Sequence, residues 1–557
     1  MKLSITIAFV LLNTFNLMAQ KKIYWGNDVP TNWNGEWPEE LRTACEKENF
    51  TYTAKWEDIL DYFSMLMWKS EHVHVFNMFI SELGRTSPVL VMSNPRVSNP
   101  KEAKASGKIV VYLQGGIHPD EGEGKEALLM VIRDILFGDK KYLLENLIIL
   151  VQPNFNVDGN EMRMVHDANP RLYGVRQNAA GYDVNRDAIK LETENMQGAY
   201  RTVVNTWDPV LIFDTHRMGN TRHGYAIAHG TSNVMTAHPD PRAYVTYKMF
   251  PAIVEEARKT AQIEVGMHCA LNEGWPPTEF THDNAIWSTE GKFMVSGYGL
   301  RNRMAILVET PGGQSFEKAI YSSYAYTNAL LEYCHQHGKE MEEVCQKAEA
   351  ELINDIKEKA PSGTLKNYTS GKYISEGKVS VYSYRDKKKR SIPGTSLKEL
   401  DRPHPPELVH DVDLITKPIG TTEATMPRGY LIPEDMHFVI EKLKMHGVKV
   451  SQLDKSEVVS GEQYIVHEMT YRPMGWRPYM MTTLLGEFVQ STDRTFPPGT
   501  YHVDMAQPLA NLIFYALEPQ IRDGFLGWNL LDNYLIKMGV KDKPIVYPIF
   551  KYFVRKE

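Results

Sequence analysis

Short apolar runs separated by helix-patterned stretches restrict the fold of this chain more than any other feature. Residues 88–93, 109–113, 147–151, 210–213 and 304–308 are dominated by Val, Ile, Leu and other apolar side chains. They are too short for stable helices and read as buried strands. Residues 123–137 instead carry Ala127, Leu128, Met130, Val131, Ile135 and Leu136 at helical spacing and stop at Gly138. Residues 56–68 are aromatic-rich and helical in pattern. Strands alternating with helices predict an α/β fold, a mixed sheet with helices on both faces.

The chain has 557 residues, enough for more than one domain with a large core. Hydrophobic content of 43% with 24% charged residues is that of a soluble globular protein. A net charge of −7 gives no sign of a nucleic-acid partner. Residues 1–19 stand apart: Lys2 precedes an apolar run over 5–12, and small Ala19 is followed by Gln20, Lys21 and Lys22. That pattern is a secretory signal peptide, the apolar run being too short for a membrane span. Export to the periplasm or the cell exterior is expected.

Cys45, Cys269, Cys334 and Cys345 show no CxxC spacing and are read as structural or free. Cys334 and Cys345 fall on one helical stretch, where their separation of roughly 16 Å excludes a bond.

Residues 316–360 are patterned as helix with a break at Gly338, and residues 360–364 (Ala-Pro-Ser-Gly-Thr) read as a linker. The expected organisation is a signal peptide over 1–19, a catalytic domain over 20–360 and a C-terminal α+β accessory domain over 365–557. In the last, residues 378–384 alternate as a strand, the basic run 385–390 is a solvated turn, and residues 435–446 form a helix closed by Gly447. A further helix starts within residues 505–513.

Chemistry enters where the strands end. The run 109–113 leads into Gly115-Gly116-Ile117-His118-Pro119-Asp120-Glu121, whose two glycines permit a sharp turn. His118 and Glu121 then stand at the carboxyl end of a strand, where ligands bind in open α/β sheets. Such a pair alone serves more often as a loop cap, and can also hold two corners of a zinc ion. His216, in Asp214-Thr215-His216-Arg217, follows the run ending at Phe213; alone it suits a structural hydrogen bond, and beside the His118/Glu121 pair it suits a third ligand. Two imidazoles and one carboxylate leave a fourth zinc position open, as catalytic zinc requires. Glu309, before the turn Pro311-Gly312-Gly313, suits either a general base facing the metal water or a surface glutamate at a turn. Between these ligands, Arg176 and Arg186 lie in a polar stretch with little periodicity. A guanidinium there suits an oxyanion or a substrate carboxylate, or a surface ion pair.

Together these residues resemble the zinc carboxypeptidases of the M14 (carboxypeptidase A-like) family. The resemblance runs through His118-Pro119-Asp120-Glu121, then Pro153-Asn154-Phe155-Asn156-Val157-Asp158-Gly159, then Arg176, Asp183-Val184-Asn185-Arg186, His216 and Glu309, in the family order. It covers roughly residues 70–340. Asn185-Arg186-Asp187 with Lys190, and Gly299-Leu300-Arg301-Asn302-Arg303, are similar to an exported bacterial subgroup. The resemblance implies one zinc ion on His118, Glu121 and His216, with Asp183 behind His118. It implies Glu309 as base and then proton donor, and Arg176 polarising the scissile carbonyl. Asn185 and Arg186 would bind the terminal carboxylate of a peptide substrate. For the family's mobile tyrosine the best candidate is Tyr298, close before Glu309 and not assigned. Two other readings use the same residues: an amidohydrolase acting on a non-standard amide such as a cell-wall peptide or acylated amino acid, and a non-catalytic binding protein on a peptidase scaffold.

Overall fold

The computed structural model describes residues 22–162, 174–219, 221–282, 289–385, 389–391, 398–400, 405–473 and 480–556. The signal peptide expected over 1–19 and residues 386–388 of the basic run lie outside them.

The first part of the chain is built on an eight-stranded sheet. Its strands are β1 (Val73–Ile80), β2 (Thr86–Met92), β3 (Ile109–Gln114), β4 (Leu147–Gln152), β5 (Leu211–Met218), β6 (Ile227–Thr231), β7 (Val265–Met267) and, after two short strands β8 (Ala270–Leu271) and β9 (Glu279–Thr281), β10 (Met304–Pro311). The order across the sheet is β1-β2-β4-β3-β5-β10-β6-β7. β3 runs parallel to β4 and β5, and β5 runs parallel to β10. β1/β2, β2/β4 and β10/β6 are antiparallel, so the sheet is mixed as expected.

Alternation along the strands divides the apolar side chains between two cores. Ile109, Val111, Leu113, Leu211, Phe213, Ile306 and Val308 pack with the helices Glu123–Phe137, Phe250–Ala261 and Phe316–Lys359. Val110, Tyr112, Ile148, Leu150, Ile212 and Ala305 face the opposite way, against Met196, Ala199, Val203, Met294 and Tyr298. Successive residues of a strand point to opposite faces, so a run that is apolar throughout needs a layer on each side. Each fully buried Leu, Ile or Val contributes about 1.5–3 kcal/mol relative to exposure.

Helix Glu123–Phe137 matches the expected bounds. Helix Phe316–Lys359 does not break at Gly338: it continues unbroken for 44 residues. Gly338 meets the sheet there, where a Cβ would stand 2.8 Å from Ile109. The glycine serves close approach of helix and strand rather than a stop. Cys334 and Cys345 lie on this helix, and all four cysteines are free and buried.

The expected linker is a single helical turn, Ala360–Ser362, followed by Gly363. Beyond it the strands Lys366–Ser383 and Glu407–Thr425 form a long antiparallel hairpin. The hairpin joins the first part directly: Asp413, Leu414 and Ile415 pair with Glu279, Phe280 and Thr281 of β9. The last part is β-rich, with a seven-stranded sheet and the helices His437–Met445 and Ala510–Leu517. Its core takes in Ile189, Val234 and Leu300 from the earlier part of the chain.

Candidate active site

Turn geometry delivers the first two ligands. β3 ends at Gln114, and Gly116 takes a left-handed φ of 66°. The carbonyls of Gly115 and Gly116 accept from Phe155 and Asn156 at 2.9 and 3.0 Å, tying the turn to the segment after β4. The Glu121 amide then donates to the His118 carbonyl at 3.0 Å, and this turn sets both side chains on one side. His216 lies inside β5 and Glu309 inside β10, not at their tips. The two are register partners across the parallel pair.

One ligand atom each from His118, Glu121 and His216 lie within 4.8 Å of one another. His118 Nδ1 is 3.2 Å from Glu121 Oε1, and His216 Nδ1 is 3.0 Å from Glu121 Oε2. The far ring nitrogens are held by carboxylates: His118 Nε2 by Asp183 at 3.1 Å and His216 Nε2 by Asp214 at 2.8 Å. Asp214 in turn accepts from Gln114 Nε2 at 3.1 Å. With each Nε2 so engaged, both Nδ1 atoms are aimed at Glu121, and His118 Nδ1 is buried with no hydrogen-bond partner among the described residues. Two carboxylate-backed imidazoles and one carboxylate around a common point fit a zinc ion that keeps one position open.

The surrounding charges agree. Burial pushes the Glu121 carboxyl up, but His118 and His216 more than offset it and hold it well below the usual range. Burial likewise opposes ionisation of Asp183, and the charge and hydrogen bond of His118, with Arg186 and Arg176, outweigh it.

The ligands open onto a cleft of about 290 Å³ that is also lined by Arg176, Asn185, Arg186 and Glu309. Arg176 donates to Glu121 Oε1 at 3.1 Å and to Asp183 Oδ2 at 2.8 Å. Asn185 Oδ1 accepts from the Met294 amide at 2.9 Å, and its Nδ2 stands 3.4 Å from His216 Nε2. Arg186 donates to the Asn185 carbonyl at 2.7 Å and lies over the Phe293 ring, 4.5 Å from its centroid. Burial lowers its pKa to about 10, partly opposed by Asp183, so it stays charged at neutral pH. Glu309 is pushed up to about 8: burial dominates, opposed by His216 and reinforced by Glu121. His268 Nε2 stands 3.7 Å from Glu309 Oε1. Burial lowers His268 to about 3 and His282, also in the cleft, to about 4, so both imidazoles are neutral.

Every residue singled out from the sequence for ligand, base or substrate contact thus lines one cleft. Tyr298 does not: it is buried in the helix Met294–Gly299 and donates to the Pro209 carbonyl. Asp214, Gln114, His268 and Phe293 were not foreseen. For Asp214 a signal existed, since residues two apart in a strand share a face and Asp214 and His216 are so spaced. Nothing local marks the others.

A mixed sheet carrying a His-Glu-His cluster and a half-buried glutamate at one cleft is the arrangement of a zinc metallopeptidase. Residues 60–223 match the family model described as zinc carboxypeptidase, Peptidase_M14. Carboxypeptidase 2 of Trichophyton rubrum is 24% identical over 494 residues, covering 85% of this chain and 81% of that protein. Probable carboxypeptidase 2 of Arthroderma benhamiae is 24% identical over 466 residues, covering 80% of each chain. Among solved structures, a metallo-carboxypeptidase from Burkholderia cenocepacia overlaps with a TM-score of 0.37 at 16% identity, over 50% of this chain and 69% of that one. The likeness to zinc carboxypeptidases thus spans residues 60–223 in the family model and most of the chain in the fungal relatives, and the site is that of a zinc metallopeptidase.

Proposed function

We propose that the protein is a carboxypeptidase that removes the C-terminal residue of a peptide with a free carboxylate, using one zinc ion held by His118, Glu121 and His216. The observation that carries this reading is the presence of Arg186, Asn185 and Glu309 in the same cleft as the three ligands.

Zinc in such a site supplies a Lewis acid that polarises a carbonyl and makes water more acidic. The chain's own residues do the rest. Arg186 and Asn185 take the substrate carboxylate, the guanidinium being braced by the Phe293 ring and the Asn185 carbonyl. That contact fixes which amide reaches the ligands. Arg176, at the cleft edge, stabilises the charge that develops on the scissile oxygen. Glu309 accepts a proton from the attacking water and returns it to the departing amine nitrogen. Asp183 and Asp214 hold the tautomers that leave each Nδ1 free to ligate.

The catalytic residues fall within 20–360, and residues 365–557 are proposed as an accessory part. The signal-peptide pattern read from residues 1–19 supports export. Among the described residues no helix is long and apolar enough to cross a membrane.

The reading is tested by digesting a peptide library and reading the products by mass spectrometry. Wild type should shorten free-acid peptides one residue at a time from the C-terminus and spare C-terminally amidated ones, and Glu309→Gln should leave both intact. Internal cleavage, or equal turnover of acids and amides, would refute it.

A further inference from the structure

Among the described residues the C-terminal part of the chain supplies no ligand to the cluster, yet it grips the segments beside the substrate-carboxylate pair from two sides. We propose that residues 365–557 position Arg186 and Asn185 for the substrate carboxylate, with Asp523 and Tyr515 as positioning residues. The inference rests on the reading of Arg186 and Asn185 as the carboxylate pair.

The first grip is on the segment that carries Phe293. The Tyr515 hydroxyl accepts from the Gly291 amide at 2.7 Å, and Asp523 Oδ2 accepts from the Lys292 amide at 2.9 Å. Tyr515 also donates to Asp523, so the two acceptors are fixed to each other. Arg522 pairs with Glu290 at 3.3 Å. These contacts hold consecutive residues immediately before Phe293 and Met294. Phe293 is the ring beneath the Arg186 guanidinium, and the Met294 amide is the donor that holds Asn185 Oδ1. A shift of the segment would therefore move the seat of both carboxylate-binding side chains at once.

The second grip is on the chain just after Arg186. His446 Nε2 donates to the Ile189 carbonyl at 2.8 Å, and Lys442 Nζ donates to the Leu191 carbonyl at 2.7 Å. Ile189 is itself part of the C-terminal core. The two gripped segments are joined by the Ala188 amide, which donates to the Lys292 carbonyl at 3.0 Å. The result is one frame, closed on both sides by the C-terminal part, around the Asn185–Arg186 turn.

Neither Asp523 nor Tyr515 lines the cleft, so neither touches substrate. Their effect has to pass through geometry, and small displacements of a binding pair are costly because a bidentate contact tolerates little misalignment. The ligand triad has anchors of its own in β3, β5 and Asp214, and meets this frame at Asp183, whose Oδ1 holds His118 Nε2 and accepts from the Asn185 amide at 3.1 Å. The similarity to the fungal carboxypeptidase covers 85% of this chain, more than residues 20–360 alone supply, so the C-terminal part accompanies the catalytic part there too.

The test uses the full-length protein and a free-acid N-acyl dipeptide, with zinc content and melting temperature measured in parallel. Asp523→Asn and Tyr515→Phe should each raise KM roughly tenfold or more while kcat stays within about twofold and zinc stays stoichiometric. Unchanged KM in a folded, zinc-loaded variant overturns the proposal, and so does a parallel loss of kcat and zinc, which would indicate general loosening. If both variants fail to fold, Lys442→Met decides by the same criteria, since it removes one contact from a partly exposed side chain. Arg186→Ala is measured alongside. If it too leaves KM unchanged, the carboxylate reading of the site is what fails. If it raises KM while the C-terminal variants do not, this inference alone fails.

Discussion

Glu309 and His216 stand opposite each other in register on the neighbouring parallel strands β10 and β5. The base is thus held by the sheet's own hydrogen-bond ladder at a set height beside a metal ligand. Shortening it by one methylene retracts the carboxylate without any loop to compensate. Glu309→Asp should lower kcat by about 10²-fold or more, within the range general acid–base groups supply, while zinc content is unchanged. Steady-state kinetics with metal analysis checks this, and near-normal kcat in Glu309→Asp would show that the carboxylate's position is not what matters.

Asp214 orients His216 through a 2.8 Å contact to Nε2. Asp214→Asn keeps the shape but removes the charge that fixes the tautomer. Zinc affinity should fall roughly 10–100-fold, the usual effect of losing a partner behind a zinc imidazole. Competition against a chromophoric chelator measures it. Chelation of the wild type should abolish turnover, and added zinc should restore it.

Tyr298 is a structural residue, its hydroxyl spent on the Pro209 carbonyl. Tyr298→Phe leaves that buried acceptor without its donor, at about 1–3 kcal/mol of stability. kcat/KM at a temperature well below unfolding should be unchanged. A large fall in kcat with normal stability would return Tyr298 to the chemistry.

Lys318 is buried in the long helix and donates to the Tyr24 and Asp28 carbonyls at 2.8 and 2.9 Å. Burial, only partly opposed by Asp28, lowers its pKa from 10.5 to about 7. Between those values the unfolded chain holds the proton and the folded one does not, so this group makes stability rise with pH across that window. Below it Lys318 is charged in both states, and the desolvation cost is fully present. Lys318→Met removes the dependence. Urea unfolding at pH 7 and pH 10 should show wild type gaining on the variant by a few kcal/mol as pH rises.

Gly338 sits where a Cβ would meet Ile109 at 2.8 Å. Gly338→Ala improves helix propensity by about 1 kcal/mol, yet overpacks the helix against β3 at about 1–3 kcal/mol. A lower melting temperature is expected. A stabilised variant would mean the helix can move away from the sheet.

Much of the site was legible because its parts are local. His118 and Glu121 are three residues apart after a glycine turn, and Asn185 and Arg186 are adjacent, so chain connectivity alone keeps each pair together. The strands 109–113, 147–151 and 304–308 announce themselves as continuous apolar runs because both faces of the sheet are covered. β1 was less visible, since its burial is irregular and its residues His74, Phe76 and Asn77 interrupt any period. Gly338 misled because propensity describes an isolated helix, whereas here packing against Ile109 decides.

By itself, the sequence determined the elements, the ligand types and their order, since strand and turn signals act over a few neighbouring residues. Only the tertiary structure decided that β5 and β10 lie side by side with His216 against Glu309. It alone decided that Asp523, far along the chain, holds the segment beneath Arg186. The strand pairing joins residues 93 positions apart and the Asp523 contact residues 231 apart, and both follow from which apolar faces bury one another, a property of the whole packed chain.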